Sequence, residues 1–163
     1  LDAASPGAPP VGAEPALDTG VPAAPGEANA APQSASTELR AYRDAYNTWR
    51  TDDYGTCIDR FREFLQTYPS SEYADDASYW MADCYFKQGD YQTALLRFDD
   101  VSSRYPDSGK SHEALYRQGE ALLRLGPRYG KAARKAFERV INEYPNSPRA
   151  EQAEKQLEMI GPG

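Results

Sequence analysis

The sequence lacks the features of several large classes of protein. No apolar run approaches the roughly 18 residues that a membrane-spanning helix requires. The only histidine is His112, and no nucleophile elbow, glycine-rich phosphate loop or metal-ligand spacing occurs. Basic clusters are also missing, and the formal charge is −7. Counterion release would therefore contribute little to the affinity of this chain for a nucleic acid. We therefore predict a chain without catalytic residues, metal or cofactor, which neither enters a membrane nor binds nucleic acid.

Cysteine is scarce. Cys57 and Cys84 stand 27 residues apart, a separation that fits no metal motif. Both fall at helix positions where a small apolar side chain would fill a contact, so two buried free thiols are one interpretation. A disulfide between them is the other, and it requires strict Cα separation and side-chain direction. The sequence leaves both open.

Residues 1–37 have no Lys, no Arg and no aromatic residue, but 7 of the 13 prolines and 11 alanines. Such a segment cannot bury enough apolar surface to offset the entropy of ordering it. We predict a disordered linker over 1–37 and a domain boundary at Thr37, where aromatic residues and paired charges begin. Because the chain starts at Leu1 without an initiator Met, we expect a fragment or a processed product.

One short motif, Tyr-Pro, a polar residue and Ser, occurs three times. Its tyrosines, Tyr68, Tyr105 and Tyr144, are 37 and then 39 residues apart. A phenylalanine precedes each tyrosine by seven residues, within an apolar stripe of helical period that ends at the proline. Each motif thus ends the second helix of a helix–turn–helix unit, and we expect its serine to cap the following helix. The phenylalanines are Phe61, Phe98 and Phe137.

The first helix of each unit carries a small residue at one equivalent place, which allows two helix backbones to approach closely. These residues are Ala45, Ala82 and Gly119. Asp53 and Asp90 are suitable N-caps for the second helices, and Gly89 can adopt the left-handed conformation that ends a first helix. Ser147 before Pro148 begins a further helix.

This pattern, with small residues at repeat positions 8 and 20, Phe at 24 and Pro at 32, is that of the tetratricopeptide repeat (TPR). We predict an all-α, right-handed TPR solenoid over residues 38–161, with repeats at about 38–70, 71–107 and 108–146. The predicted helices are 38–51, 54–67, 72–88, 91–104, 111–125, 130–143 and a capping helix at 148–160. The predicted core is Ala45, Phe61, Phe64, Met81, Ala82, Tyr85, Ala94, Phe98, Val101, Leu122, Phe137 and Val140.

Three segments carry a closer resemblance: "YADDASYWMADCYFKQGDY", "GDYQTALLRFDDVSSRYPDS" and the ending "AEKQLEMI". They resemble the C-terminal domain of the periplasmic TPR protein associated with the Tol–Pal system, the cell division coordinator family. The resemblance covers about residues 38–161 and implies a periplasmic scaffold that contacts TolA and couples outer-membrane constriction to septal peptidoglycan synthesis. That family trimerises through a coiled coil which this chain lacks, so we expect a monomer here and a trimer only in a full-length protein.

The same style of repeat occurs in the TPR lipoprotein of the outer-membrane β-barrel assembly machinery. That family has more repeats and a lipidated cysteine near its start, whereas this chain has three repeats and no early cysteine. It is the alternative identification.

The first helices of a TPR array line its concave face, and there the repeats present ladders of equivalent residues. Large aromatic side chains flanked by charges are typical of partner-binding surfaces, although equivalent tyrosines can also join neighbouring repeats. We predict a partner-binding surface centred on Tyr79. Because Asp83 and Glu120 lie in it, we expect a partner segment of mixed charge. The predicted contact residues are Tyr42, Tyr46, Trp49, Arg50, Tyr79, Asp83, Phe86, Lys87, Tyr116, Glu120 and Arg124.

Overall fold

A computed structural model of the protein describes the backbone of residues 27–162 and the side chains of residues 34–162. Within these residues the secondary structure is helical throughout, and no strand occurs. A 3-10 turn at Pro127–Tyr129 precedes the sixth helix. The α-helices are α1 Glu27–Arg50, α2 Tyr54–Thr67, α3 Ala74–Lys87, α4 Tyr91–Arg104, α5 Ser111–Leu125, α6 Gly130–Glu143 and α7 Pro148–Ile160.

Five of the seven predicted helices have the observed bounds, and the other two differ. Helix α3 begins two residues later and ends one residue earlier than predicted. Helix α1 begins at Glu27 rather than at residue 38. The added stretch has four alanines, the residue that favours helix most, and a single proline, Pro32. The part of the predicted linker at 1–26 lies outside the described residues.

Capping side chains explain why α2 and α4 begin where they do. The Asp53 carboxylate accepts from the backbone N–H of Thr56 (3.3 Å), and that of Asp90 accepts from Thr93 (3.1 Å). Both predicted N-caps are confirmed. Gly89 has φ 84° at the end of α3, which confirms the left-handed conformation expected there.

The motif serines do not all cap a helix, which corrects the prediction. Ser147 does: its hydroxyl accepts from the N–H of Ala150 at the start of α7. The hydroxyls of Ser71 and Ser108 instead accept from an N–H two residues further on. Two residues separate each of these serines from the first residue of its helix. Each hydroxyl therefore stabilises the short turn that leads into the helix rather than the helix itself.

The core lies between the two helices of each repeat. Phe61, Phe98 and Phe137 are fully buried, and successive helices pack against one another along the chain, with α1 also touching α3 and α5 touching α7. The predicted core is buried except for Tyr85, which is partly buried and whose hydroxyl accepts a hydrogen bond from Arg62 (2.8 Å).

Gly119 shows how close this packing is in the third repeat. A Cβ atom on Gly119 would lie 2.6 Å from the ring of Phe137, whereas a normal carbon contact is about 3.5–4.0 Å. The first two repeats accommodate an alanine at this place, and both alanines are fully buried. The glycine is therefore required by the position of the facing ring.

Cys57 and Cys84 form a disulfide, with a Cα–Cα distance of 6.5 Å. Both residues are fully buried. The bond joins α2 of the first repeat to α3 of the second, so it crosses the boundary between repeats. Of the two interpretations that the sequence left open, the disulfide is therefore the one observed.

Replacing a core phenylalanine should weaken folding strongly. Phe98→Ala should lower the free energy of unfolding by about 3–5 kcal/mol, because it removes a fully buried ring. Leu96→Ala on the same helix is the matched control, since Leu96 is 63% exposed; it should cost less than about 0.5 kcal/mol. Denaturant unfolding followed by circular dichroism measures both. Equal effects of the two substitutions would contradict the register of α4.

The disulfide should contribute measurably to stability. Replacing both cysteines with alanine should cost about 3 kcal/mol, as expected for a loop closed over a separation of 27 residues. A reducing agent should destabilise the wild-type protein but leave the double variant unchanged. Titration of denatured, unreduced protein should find no free thiol. Two reactive thiols would refute the bond.

Candidate functional site

The predicted contact residues lie on one surface of α1, α3 and α5, which we call the first-helix face. They differ greatly in exposure. The exposed residues are Arg50, Lys87 and Arg124. The partly buried ones are Tyr42, Tyr46, Trp49, Phe86 and Glu120. The buried ones are Tyr79, Asp83 and Tyr116.

The tyrosine ladder forms junctions between repeats. In each case a side chain at or near the start of α3, α5 or α7 lies on the ring. The Tyr73 ring stacks on Tyr42 with centroids 5.1 Å apart. The Lys110 ammonium lies 4.9 Å from the centroid of Tyr79, and the Arg149 guanidinium lies 4.5 Å from that of Tyr116. These covering residues occupy equivalent places in successive repeats.

Hydrogen bonds strengthen two of these junctions. The indole N–H of Trp80 donates to the Tyr42 hydroxyl (3.2 Å), and the amide of Gln156 donates to that of Tyr116 (3.3 Å). Burial, followed by the nearby carboxylate of Asp76, raises the pKa of Tyr42 to about 12. Burial likewise raises the pKa of Tyr79. Tyr79 and Tyr116 are thus buried in these junctions, whereas we expected Tyr79 at the open centre of the binding surface. A contact between Tyr79 and a partner stays a prediction.

A charged network occupies the middle of the first-helix face. The indole N–H of Trp49 donates to a carboxylate oxygen of Asp83 (2.7 Å). The Arg117 guanidinium pairs with both Asp83 and Glu120 and lies 4.0 Å from the centroid of Phe86. Burial opposes the charged form of Arg117, but the two carboxylates outweigh it and raise its pKa. The network joins α1, α3 and α5.

Sequence reasoning missed Arg117. It stands 37 residues after Trp80, so it occupies the place in the third repeat that Trp80 holds in the second. Trp80 packs against Trp49 with centroids 4.4 Å apart. The sequence does contain a signal for Arg117. An aromatic residue in the second repeat is replaced by a cation at the equivalent position of the third, and Asp83 is an acidic residue that this cation can pair with.

What stays accessible is the end of the face near the C-termini of the first helices. Arg50, Lys87 and Arg124 are exposed there, beside the partly buried rings of Trp49 and Phe86. A cavity of about 250 Å³ opens in the same region. Its lining residues are Phe86, Arg117, Glu120, Leu123, Arg124 and Gln156.

His112 lies apart from this region. Its Nε2 atom is 3.7 Å from a carboxylate oxygen of Glu113, and its ring packs 6.1 Å from that of Tyr144. Among the residues whose side chains are described, no group of three or more His, Cys, Asp or Glu is placed to hold a metal ion. These contacts fit a residue that packs at the start of α5.

Tyr79 provides a direct test of the junction role. Tyr79→Ala should lower the free energy of unfolding by about 3 kcal/mol, because the ring packs on Phe98 and beneath Lys110. Tyr79→Phe keeps both ring contacts and serves as the control, with little expected change. Thermal and denaturant unfolding measure the difference. An unchanged melt for the alanine variant would restore Tyr79 as a surface residue.

Solved structures share this architecture at low sequence identity. The first TPR domain of Spaghetti (RPAP3), bound to the HSP90 peptide SRMEEVD, has a TM-score of 0.61 and 20% identity, covering 76% of this chain and 91% of that one. The Arabidopsis OM64 TPR domain has a TM-score of 0.61 and 16% identity, with coverage of 75% and 94%. The first TPR domain of human RPAP3 has a TM-score of 0.60 and 20% identity, with coverage of 76% and 88%. With the helices observed here, these similarities confirm the TPR solenoid.

No curated protein matches the sequence. Over residues 27–162, none of the helices combines the length and apolarity needed to cross a membrane. The comparison with protein families is decisive, since residues 34–161, most of the chain, match the family described as YfiO, outer membrane lipoprotein. The chain therefore belongs to this outer membrane lipoprotein family, as a TPR protein-interaction scaffold.

Proposed function

We propose that the protein is a non-catalytic scaffold of the bacterial periplasm, whose partner contacts the accessible end of the first-helix face. The observation that carries the proposal is the combination found there: exposed basic residues beside partly buried aromatic rings, on a rigid helical array. Aromatic residues and arginine are enriched where protein partners bind. The fold adds support, because the similar TPR domain of Spaghetti (RPAP3) is bound to a peptide.

The disulfide supports the periplasmic assignment. Disulfides persist in oxidising compartments, which include the bacterial periplasm, and are rare in the cytosol. The bond between Cys57 and Cys84 is internal and fully buried. A family of outer membrane lipoproteins agrees with a location on the periplasmic side of that membrane.

Within the periplasm, we assign the scaffold to the Tol–Pal system, with TolA as a partner. Its role would be to coordinate outer-membrane constriction with septal peptidoglycan synthesis during cell division. The support is the resemblance of the second repeat and of α7 to the cell division coordinator family, together with a proline- and alanine-rich segment before the repeats.

A second candidate is a scaffold of the outer-membrane β-barrel assembly machinery. The observation that favours it is the family description, which names an outer membrane lipoprotein. Both candidates use the same fold and the same compartment, so they differ only in the partner that is bound.

Site-specific photo-crosslinking separates the two. A photo-reactive amino acid at Arg50, which is exposed beside Trp49, should capture TolA in living cells. The control is the same amino acid at Lys135, which is exposed on α6, and it should capture nothing in common with Arg50.

Capture of β-barrel assembly subunits from Arg50 would favour the second candidate. Capture of the same partner from Lys135 but not from Arg50 would place binding on the opposite surface and refute the proposed site.

A further inference from the structure

Two exposed cations of the first-helix face are held in the same way by aromatic rings. The Lys87 ammonium lies 5.9 Å from the ring centroid of Trp49 and 6.0 Å from that of Tyr54. The Arg124 guanidinium lies 6.0 Å from Phe86 and 5.8 Å from Tyr91. Every member of the second set stands 37 residues after its counterpart: Arg124 after Lys87, Phe86 after Trp49 and Tyr91 after Tyr54. Each set, which we call a cation rung, thus joins a cation to two rings of the preceding repeat.

The rung cations keep their hydrogen-bond donors available. Among the side chains of residues 34–162, no carboxylate lies within ion-pair distance of Lys87 or Arg124. An ammonium group has three donors and a guanidinium group has five. Cation–π attraction, which is weak at an exposed site, favours this direction of each side chain without using those donors.

The carboxylates near the rungs have other partners. Asp83 and Glu120 pair with Arg117, and Asp52 accepts a hydrogen bond from the Tyr54 hydroxyl (2.6 Å). We expected a partner of mixed charge because Asp83 and Glu120 were predicted to face it. Arg117 offsets one of these two negative charges and engages both carboxylates, whereas Lys87 and Arg124 have no carboxylate within ion-pair distance among the described side chains. The groups with free hydrogen-bond donors at the rungs are therefore the two cations.

Two apolar residues line the cavity beside the second rung, together with Arg117, Glu120, Arg124 and Gln156. Phe86 belongs to the second rung and also lines the 250 Å³ cavity together with Leu123; both residues are partly buried. A partner side chain that enters this cavity would replace water on two apolar groups. The surface therefore complements two carboxylates together with an apolar side chain.

On the basis of the proposed function, we propose that the partner is an acidic polypeptide segment, in which two Asp or Glu side chains pair with Lys87 and Arg124 and an apolar side chain between them contacts Phe86. Charge-assisted hydrogen bonds of this kind are about twice as strong as neutral ones. Because the rings already position both cations, binding costs less side-chain entropy than it would with free lysine and arginine.

A polyanion such as nucleic acid or polyphosphate fits less well. Its binding grows with the number of phosphates neutralised, and each rung supplies a single cation. Two separate cations, each beside aromatic rings, match side chains spaced along a peptide better than a uniform line of charge.

Synthetic peptides test this proposal with the full chain. The probe is a series of short fluorescent peptides, each carrying two Glu residues at increasing separation with Leu between them. Each peptide has a twin in which Gln replaces Glu. Fluorescence anisotropy should show binding at one favoured separation, and the Gln twin should bind at least about tenfold more weakly, as expected for the loss of one or two charge-assisted bonds.

Lys87→Gln and Arg124→Gln should each reduce the affinity for the best peptide at least about fivefold. The matched control is Lys135→Gln, which removes an exposed charge from α6 and should leave binding unchanged. Equal affinity for Glu and Gln peptides, equal loss with Lys135→Gln, or tighter binding of inorganic polyphosphate than of any peptide would each overturn the proposal.

These outcomes are independent of the capture experiment with TolA. Carboxylate-dependent peptide binding that needs both rung cations would support the proposal even if TolA is not the partner. Conversely, capture of TolA from Arg50 that persists in a Lys87→Gln, Arg124→Gln double variant would leave the scaffold function intact and refute the acidic-segment recognition.

Discussion

The close approach of the two helices in each repeat is the constraint on which the remaining structure depends. A buried phenylalanine on the second helix faces a small residue on the first, and in the third repeat only glycine leaves room for the ring of Phe137. This contact fixes the rotation of each first helix about its axis. Once the rotation is fixed, residues 37 positions apart fall on the same surface, and the ladders of tyrosines and cations follow from it.

The junctions between repeats use different chemistry at equivalent places. Between the first and second repeats, Trp80 packs on Trp49 and Tyr46, and the disulfide adds a covalent link. Between the second and third, Arg117 takes the place of Trp80 and pairs with Asp83. A buried ion pair contributes less to stability than packed aromatic rings, because desolvation offsets much of the attraction. The two junctions therefore have the same helix arrangement, but the aromatic contacts and the disulfide of the first stabilise it more than the ion pair of the second.

Sequence patterns predicted the elements well wherever local chemistry punctuates the chain. The bounds of α2 and α4 follow from capping aspartates before them and prolines after them, and both signals act through neighbouring residues. The start of α1 was missed because no such signal marks Glu27. Burial of Tyr79 and Tyr116 was missed for another reason: periodicity shows that residues share a surface but not which part of it the next repeat covers. Lys110 and Arg149, which cover these rings, are distant in sequence.

The junctions between repeats leave only part of the first-helix face exposed. In the second repeat, Tyr79 and Asp83 are occupied by Lys110 and Arg117, so a partner cannot reach them without separating two repeats. Lys87, one turn further along α3 than Asp83, is exposed beyond this contact. Side chains near the middle of the first helices are therefore committed to stacking the repeats, whereas Arg50, Lys87 and Arg124 near the C-termini remain exposed to solvent. The same helix thus serves two ends, because its middle joins the repeats and its C-terminal turn stays open.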